Sequence, residues 1–297
     1  GFTLDPDLRA AILENRALER NAFYVPQNTL ARMISRQAGF YWGTAGHTPE
    51  PVAIGALGPG AQIFQGYQAN TTFGQRLHRL LTLVSTGGAF PRDPQTLAVR
   101  WTGYANFELV YNGQILLLDA YFDRGEMYPS LGFKAADVKR ADVLLIGHGH
   151  VDHMSDAASV GARTGAVVVG APVTTEKLAT QAIDMKQVRT VTGRGGELLT
   201  FKGFTVEPIL GRHGEPPHDV VDAFDQALKK TTPPLTPAQM KERNEIRARG
   251  TSDKRVLAEG TIAYLITLDN GFRIYFRDSG GAVTDYEKAV MARVGRV

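Results

Sequence analysis

His148-Gly149-His150-Val151-Asp152-His153 puts three imidazoles and a carboxylate into six residues, and few folds can use such a segment. Three imidazoles on one loop repel when charged and gain nothing from burial, so a shared cation is the simplest compensation. Neutral imidazole nitrogens and carboxylate oxygens are the ligands that a borderline metal such as zinc selects. Taken singly, each of these histidines reads as an ordinary surface or core residue; the metal reading comes from the three together. Ala141–Ile146 before them is a short, mostly apolar run that predicts a buried strand, closed by Gly147, and Ser155–Ala162 predicts the start of a helix. The cluster is therefore expected on the loop after a strand's carboxyl end, where open α/β sheets place ligands.

The rest of the composition narrows the class. The 297 residues suffice for one large domain or two modest ones, and 43% apolar with 21% charged residues is the make-up of a soluble globular chain. A net charge of +3 is spread along the sequence. The densest basic stretch, Lys241–Arg249, is interrupted by Glu242 and Glu245 and reads as a solvated helix face, so no nucleic-acid partner is expected. With no cysteine, disulfides and thiolate ligands are excluded. No apolar run approaches the roughly 20 residues of a membrane span. The chain begins at Gly1, which reads as a processed or trimmed product; the compartment, cytoplasmic or exported with a signal removed, stays open.

Residues 1–90 read as a helical N-terminal extension. Asp5-Pro6 caps a stripe of Leu4, Leu8, Ile12 and Leu13. Gly39–Gly66 is a loop by its Gly and Pro content, and Thr72–Ser85 is a helix with Leu77, Leu80, Leu81 and Val84 on one face and His78 in a packing or surface role. Residues 91–297 read as a second, β-rich domain. Phe107–Tyr111 and Gln114–Ala120 form a hairpin across Asn112-Gly113, a type I′ signal. A helix near Ala135–Arg140 precedes the histidine loop. A strand at Ala166–Val169, a helix at Thr175–Ile183 and a strand at Val188–Val191 follow it. Glu197–Phe201 pairs with Phe204–Leu210, and Thr261–Leu268 with Phe272–Arg277 across Asn270-Gly271. Asp119 and Asp278 close the two Asn-Gly hairpins, hinting at two related halves. Between them residues 214–260 form a helical insertion. Val220, Val221, Phe224 and Leu228 suggest one helix; Thr236-Pro237-Ala238-Gln239 is a capping box opening another, which Gly250 can end. The insertion reads as a lid, a dimer surface or decoration.

The order of these features resembles the metallo-β-lactamase-fold hydrolases, an α/β fold built as an αββα sandwich, over roughly residues 97–290. Trp101-Thr102-Gly103-Tyr104 with Phe107–Asp119 is similar to the opening of the branch holding L-ascorbate-6-phosphate lactonase-like enzymes and N-acylphosphatidylethanolamine-hydrolysing phospholipase D, whose members carry Gly-His where this chain has Gly103-Tyr104. The resemblance implies that His148 and His150 bind a first metal with His213 of Gly211-Arg212-His213-Gly214. It implies that Asp152 and His153 hold a second, and that Asp278 of Arg277-Asp278-Ser279-Gly280 bridges the two. Asp119 would support the loop without binding metal. Such enzymes also supply a late histidine to the second metal, and no histidine follows Asp278 here. The residues after Asp278 are too few for the last strand and helix of the sandwich, so its last C-terminal elements are expected to be missing. Failing that, His218 or His47 substitutes, or the second site is weak or empty.

The reading is then a zinc-dependent hydrolase, with one or two ions and Mn or Fe as other candidates, that attacks a small-molecule lactone, ester or amide with metal-activated hydroxide. Asp152 would orient that nucleophile. Tyr104 reads first as a core residue and otherwise as a donor to a developing oxyanion. A phosphodiesterase or phospholipase-type hydrolase and a non-catalytic metal-binding module with an incomplete second site are the alternatives, and a homo-oligomer is compatible with either.

Overall fold

The computed structural model describes residues 82–126, 128, 130–214 and 234–295, together with residues 6, 9–10, 61–66, 69, 71–73, 75–76 and 222. The stripe from Leu4 to Leu13, the Val220–Leu228 helix and the histidines His47, His78 and His218 lie outside the described residues. The chain divides into two compact units, Gly1–Gln62 and Ile63–Val297, and the second carries every strand named below.

Apolar alternation builds two sheets. The first has six strands in the order β1 (Ala98–Gly103), β2 (Asn106–Tyr111), β3 (Gln114–Leu118), β4 (Val143–Leu145), β5 (Val167–Gly170) and β6 (Val188–Thr190). β1, β2 and β3 pair antiparallel, whereas β3 to β6 pair parallel, through crossovers that are helical after β4 and β5. The second sheet is antiparallel throughout, in the order β10 (Arg273–Phe276), β9 (Ile262–Leu268), β8 (Phe204–Leu210) and β7 (Leu199–Phe201).

Because successive side chains point to opposite faces, each central strand feeds two apolar layers. Leu116, Leu118, Val143 and Leu145 of the first sheet meet Val206, Ile262, Tyr264 and Ile266 of the second. On the outer face of the first sheet, Ile115, Leu117, Leu144 and Val168 lie under Ala157, Ala158 and Val160. Those three belong to a helix, Ala157–Thr164. On the outer face of the second sheet, Ile209, Ala263 and Leu265 are covered by Val290 and Val294 of the Asp285–Val294 helix. Helix, sheet, sheet, helix: the expected αββα sandwich is what forms.

Numbered in chain order, the α-helices are α1 (Val151–Met154), α2 (Ala157–Thr164), α3 (Pro172–Leu178), α4 (Pro237–Arg247), α5 (Arg255–Ala258) and α6 (Asp285–Val294). Several differ from expectation. The helix expected to run to Ser85 has given way by Val84, where the chain turns through Gly87; the buried Glu108 carboxylate captures the Val84 and Ser85 amides at 3.0 and 2.7 Å. Ala61–Phe64, inside the expected loop, is a 3-10 turn, and the helix near Ala135 is only the turn Ala135–Asp137. α3 begins earlier than Thr175 because Pro172, with no amide hydrogen to satisfy, suits the first helical turn. α4 opens on the expected Thr236/Gln239 capping box. After Asp278 the described residues hold one helix, α6, and no strand.

Both Asn-Gly hairpins form, by different turns. Asn112 and Gly113 are both left-handed (φ 49 and 73), as type I′ demands. In the second only Gly271 is (φ 86): its amide donates to the Leu268 carbonyl and Leu268 donates to the Phe272 carbonyl, a three-residue loop.

Candidate metal centre

Four strand ends and one short helix bring the polar residues together. His148 follows β4 through Ile146 and Gly147, and α1 carries Asp152 and His153; the segment expected as pure loop is thus partly helical, entered through the extended backbone of His150. Asp119 follows β3, His213 follows β8 and Asp278 follows β10. The sheets meet here: the Ile262 amide of β9 donates to the Gly147 carbonyl at 2.7 Å, and the Thr251 amide, beyond α4, donates to the Gly149 carbonyl at 2.7 Å.

The His148, His150 and His213 rings form a tight triangle, with centroids 4.7, 4.8 and 4.6 Å apart. Within it His148 Nε2 and His150 Nδ1 face each other at 3.1 Å. Two zinc–nitrogen bonds of about 2.05 Å at a tetrahedral angle span roughly 3.3 Å, so this separation suits a shared cation. His213 Nδ1 is buried and makes no hydrogen bond. The ligand types, the facing nitrogens and that orphaned atom all fit a divalent ion.

A second group comprises His148, His153 and Asp278. Asp278 Oδ2 lies 2.7 Å from His148 Nδ1 and 3.1 Å from His153 Nδ1, while its Oδ1 is buried with no partner. Asp119 also meets His153 Nδ1, at 2.8 Å, and accepts the Gly147 amide at 2.9 Å. The two aspartates that close the two hairpins therefore converge on one imidazole nitrogen. That leaves His153 Nε2 facing Asp152 Oδ2 at 3.6 Å. Asp152 itself lies outside both groups, its side chain 41% exposed.

Electrostatics sorts these histidines into two kinds. Burial, then the charges of His148 and His213, push His150 down to about 4. Burial and His148 lower His213 as well. Both shifts favour the neutral ring, which is the ligating form. For His153, burial opposes the charge, but Asp119 and Asp278 outweigh it and raise the ring to about 11. Burial likewise works against an ionised Asp278, yet His148 and His153 hold it well below the usual carboxylate range. Asp119 is pushed up to about 6 by burial and the neighbouring Asp278, with His153 opposing.

Asp278 reaches its partners only because residue 147 is glycine. A Cβ there would sit 2.1 Å from Asp278 Oδ2. Gly147→Ala is expected to displace that carboxylate from His148 and His153 and weaken metal binding at least roughly 10–100-fold, the effect of losing an outer-sphere partner alone. Competition against a zinc-chelating dye measures it; unchanged affinity would show that Asp278 orients neither ring.

Sequence reasoning missed two residues of this neighbourhood. Asp156, fully buried, accepts the Phe122 and Asp123 amides at 2.7 and 2.9 Å and pairs with Arg249 at 3.1 Å. Arg124 packs its guanidinium against the Tyr104 and Tyr121 rings. No local signal marks either, because their partners are distant in sequence or aromatic. Tyr104 departs from its expected core role: it is left-handed (φ 55) and 49% exposed.

Comparison with known proteins agrees with this architecture. The family model described as the beta-lactamase superfamily domain matches residues 114–296. Curated relatives include a UPF0173 metal-dependent hydrolase of Methanopyrus kandleri, 34% identical over 74 residues (25% of this chain, 30% of that protein). Another, from Rhizobium etli, is 27% identical over 109 residues (37% and 44%). The chain spans less than half the length of these relatives. Among solved structures it is similar to a possible metal-dependent hydrolase from Veillonella parvula (15% identity, TM-score 0.40, 66% of each chain). No helix among the described residues is long and apolar enough to cross a membrane. With the family match covering well over half of the sequence and the αββα layers in place, the chain belongs to the metallo-β-lactamase superfamily.

Proposed function

We propose that the protein is a metal-dependent hydrolase of a small-molecule lactone, ester or amide, with zinc as its cation. The observation that carries this reading is the facing pair His148 Nε2 and His150 Nδ1, with His213 completing the triangle. These three would hold a first ion. His153 Nε2, once it gives up its proton to solvent, and Asp152 would hold a second, with Asp278 Oδ1 as the atom left to be shared. When bound, such an ion lowers the pKa of water to about 7 and polarises the substrate oxygen. Asp119 and Asp278 fix the histidine tautomers by accepting from Nδ1, an arrangement that makes the opposite nitrogen the better ligand. Asp152, the exposed carboxylate of the set, orients the attacking water by accepting its hydrogen bond.

The test combines metal analysis with turnover on a panel of lactones, aryl esters and bis(p-nitrophenyl) phosphate. About two zinc ions per chain with ester or lactone turnover is expected. Removing metal with a chelator should abolish turnover and lower the unfolding free energy by about 2.7 kcal/mol for each ion lost, if zinc had been present at 100 times its Kd. An intact fold that retains no zinc, manganese or iron at neutral pH would defeat the reading.

A further inference from the structure

Arg124 follows β3 on the loop that lies against the metal centre. Two residues fasten that loop there: the Ala120 amide donates to the His153 carbonyl at 2.7 Å, and Asp156 holds the Phe122 and Asp123 amides. The Arg124 guanidinium is fixed on three sides. Its carbon lies 4.6 Å from the Tyr104 ring centre and 5.1 Å from that of Tyr121, two rings that themselves meet edge to face. Its Nε donates to the Tyr121 carbonyl at 3.2 Å. Behind it stands Gly103, where any side chain would collide with Nη2.

What this guanidinium lacks is an anion. Among the described residues no carboxylate lies within ion-pair distance of it, and its buried Nη2 has no hydrogen-bond partner. A guanidinium costs free energy to desolvate and is ordinarily retained near an interior only with a partner. Burial does lower its pKa, with the two tyrosines opposing.

The surroundings identify where a partner would enter. A cavity of about 550 Å³ opens beside Arg124, with Lys134 and Arg249 also on its wall and Leu131 and Phe133 as apolar lining. Four carboxylates share that wall: Glu126 is exposed, and the other three are engaged. Asp123 accepts the Ala135 amide at 3.0 Å, Glu242 accepts the Glu126 amide at 3.0 Å, and Glu245 lies 4.0 Å from Lys241. Arg124 lies four residues along the chain from Ala120, whose amide the His153 carbonyl of the metal centre holds.

We propose that Arg124 is a specificity-determining residue that binds an oxyanion, carboxylate or phosphate, on the substrate, away from the bond that is cleaved. A guanidinium steadied by two aromatic rings and the Tyr121 carbonyl is pre-organised, so little entropy is lost when it binds a carboxylate or phosphate oxygen. The inference rests on the hydrolase reading above, but its test separates the two.

The test uses aryl esters identical except for the acyl terminus: methyl, carboxylate or phosphate. In the zinc-loaded protein the anionic esters should have the higher kcat/KM, and which anion gains more names the source. Arg124→Gln should lower the anionic-to-neutral ratio at least tenfold, mainly through KM, and Arg124→Lys should restore part of it. In parallel, glutarate and phenyl phosphate are titrated calorimetrically into the zinc-free protein, where Arg124→Gln should weaken binding at least tenfold. Loss of binding without turnover of any ester keeps the anion site and sinks the hydrolase. Turnover with the same ratio in wild type, Arg124→Gln and Arg124→Lys overturns the proposal. Thermal unfolding of both variants shows that they are folded.

Discussion

His148→Ala is expected to leave the protein with neither ion bound stably and with hydrolysis reduced by more than 100-fold. The reason is that His148 is the one residue common to both candidate groups. Its Nε2 faces His150 at 3.1 Å and its Nδ1 meets Asp278 at 2.7 Å, so truncation removes a ligand from the first site and an anchor of the shared carboxylate from the second. Losing an outer-sphere partner alone costs roughly 10–100-fold in metal affinity or activity. Asp119→Asn provides that comparison, because Asp119 touches His153 and the Gly147 amide without joining either group. The expected order is therefore His148→Ala well below Asp119→Asn, and Asp119→Asn below wild type. Elemental analysis of metal per chain and kcat/KM on the same preparations decide it. Equal losses in the two variants would mean that His148 is not a ligand.

Why His148 could be singled out from sequence, and Asp156 could not, is a matter of how far each residue's partners lie along the chain. The histidine cluster is local: four candidate ligands occur within six residues, immediately after an apolar run that becomes β4. The sandwich was legible for a similar reason. Runs such as Gln114–Leu118 and Ile262–Leu268 supply apolar residues to both faces, and Asn112-Gly113 fixes one register by turn chemistry alone. His213 and Asp278 carry no local signature beyond standing at strand ends; they were placed by their order along a resembling family. Helix limits were less legible. The turn at Val84–Gly87 is imposed by Glu108, more than twenty residues away, and α1 begins inside the histidine motif. Arg124 depends on the placement of Tyr104 and Tyr121, which no periodicity encodes.

Asp156 shows what such a distant contact is worth. Its Oδ2 accepts two amides, from Phe122 and Asp123, and its Oδ1 accepts from Arg249 Nη1 at 3.1 Å. One carboxylate thereby joins three segments: the loop after β3, the entrance to α2 and the chain leaving α4. Burial raises its pKa while the Asp123 and Phe122 amides lower it, so the charge is tolerated chiefly because those amides point at it. In Asp156→Ala both amides lose their acceptor, at about 1–3 kcal/mol each for a buried donor. The Arg249 pair adds little, since that side chain is 41% exposed. A loss of about 3 kcal/mol is expected, and for a unit of this size that is roughly 6–12 °C in Tm. Asp156→Asn keeps an acceptor for the amides but turns an uncharged group toward Arg249, so its loss should be smaller. The effect should also reach the site, because the loosened loop carries Asp119 at one end and Arg124 at the other. Zinc affinity and the preference for anionic esters should both fall in Asp156→Ala, while Arg124→Gln changes only the second. If Asp156→Ala unfolds within 2 °C of wild type, solvent has replaced the carboxylate at those amides, and the loop owes its position to Ala120 and the aromatic contacts instead.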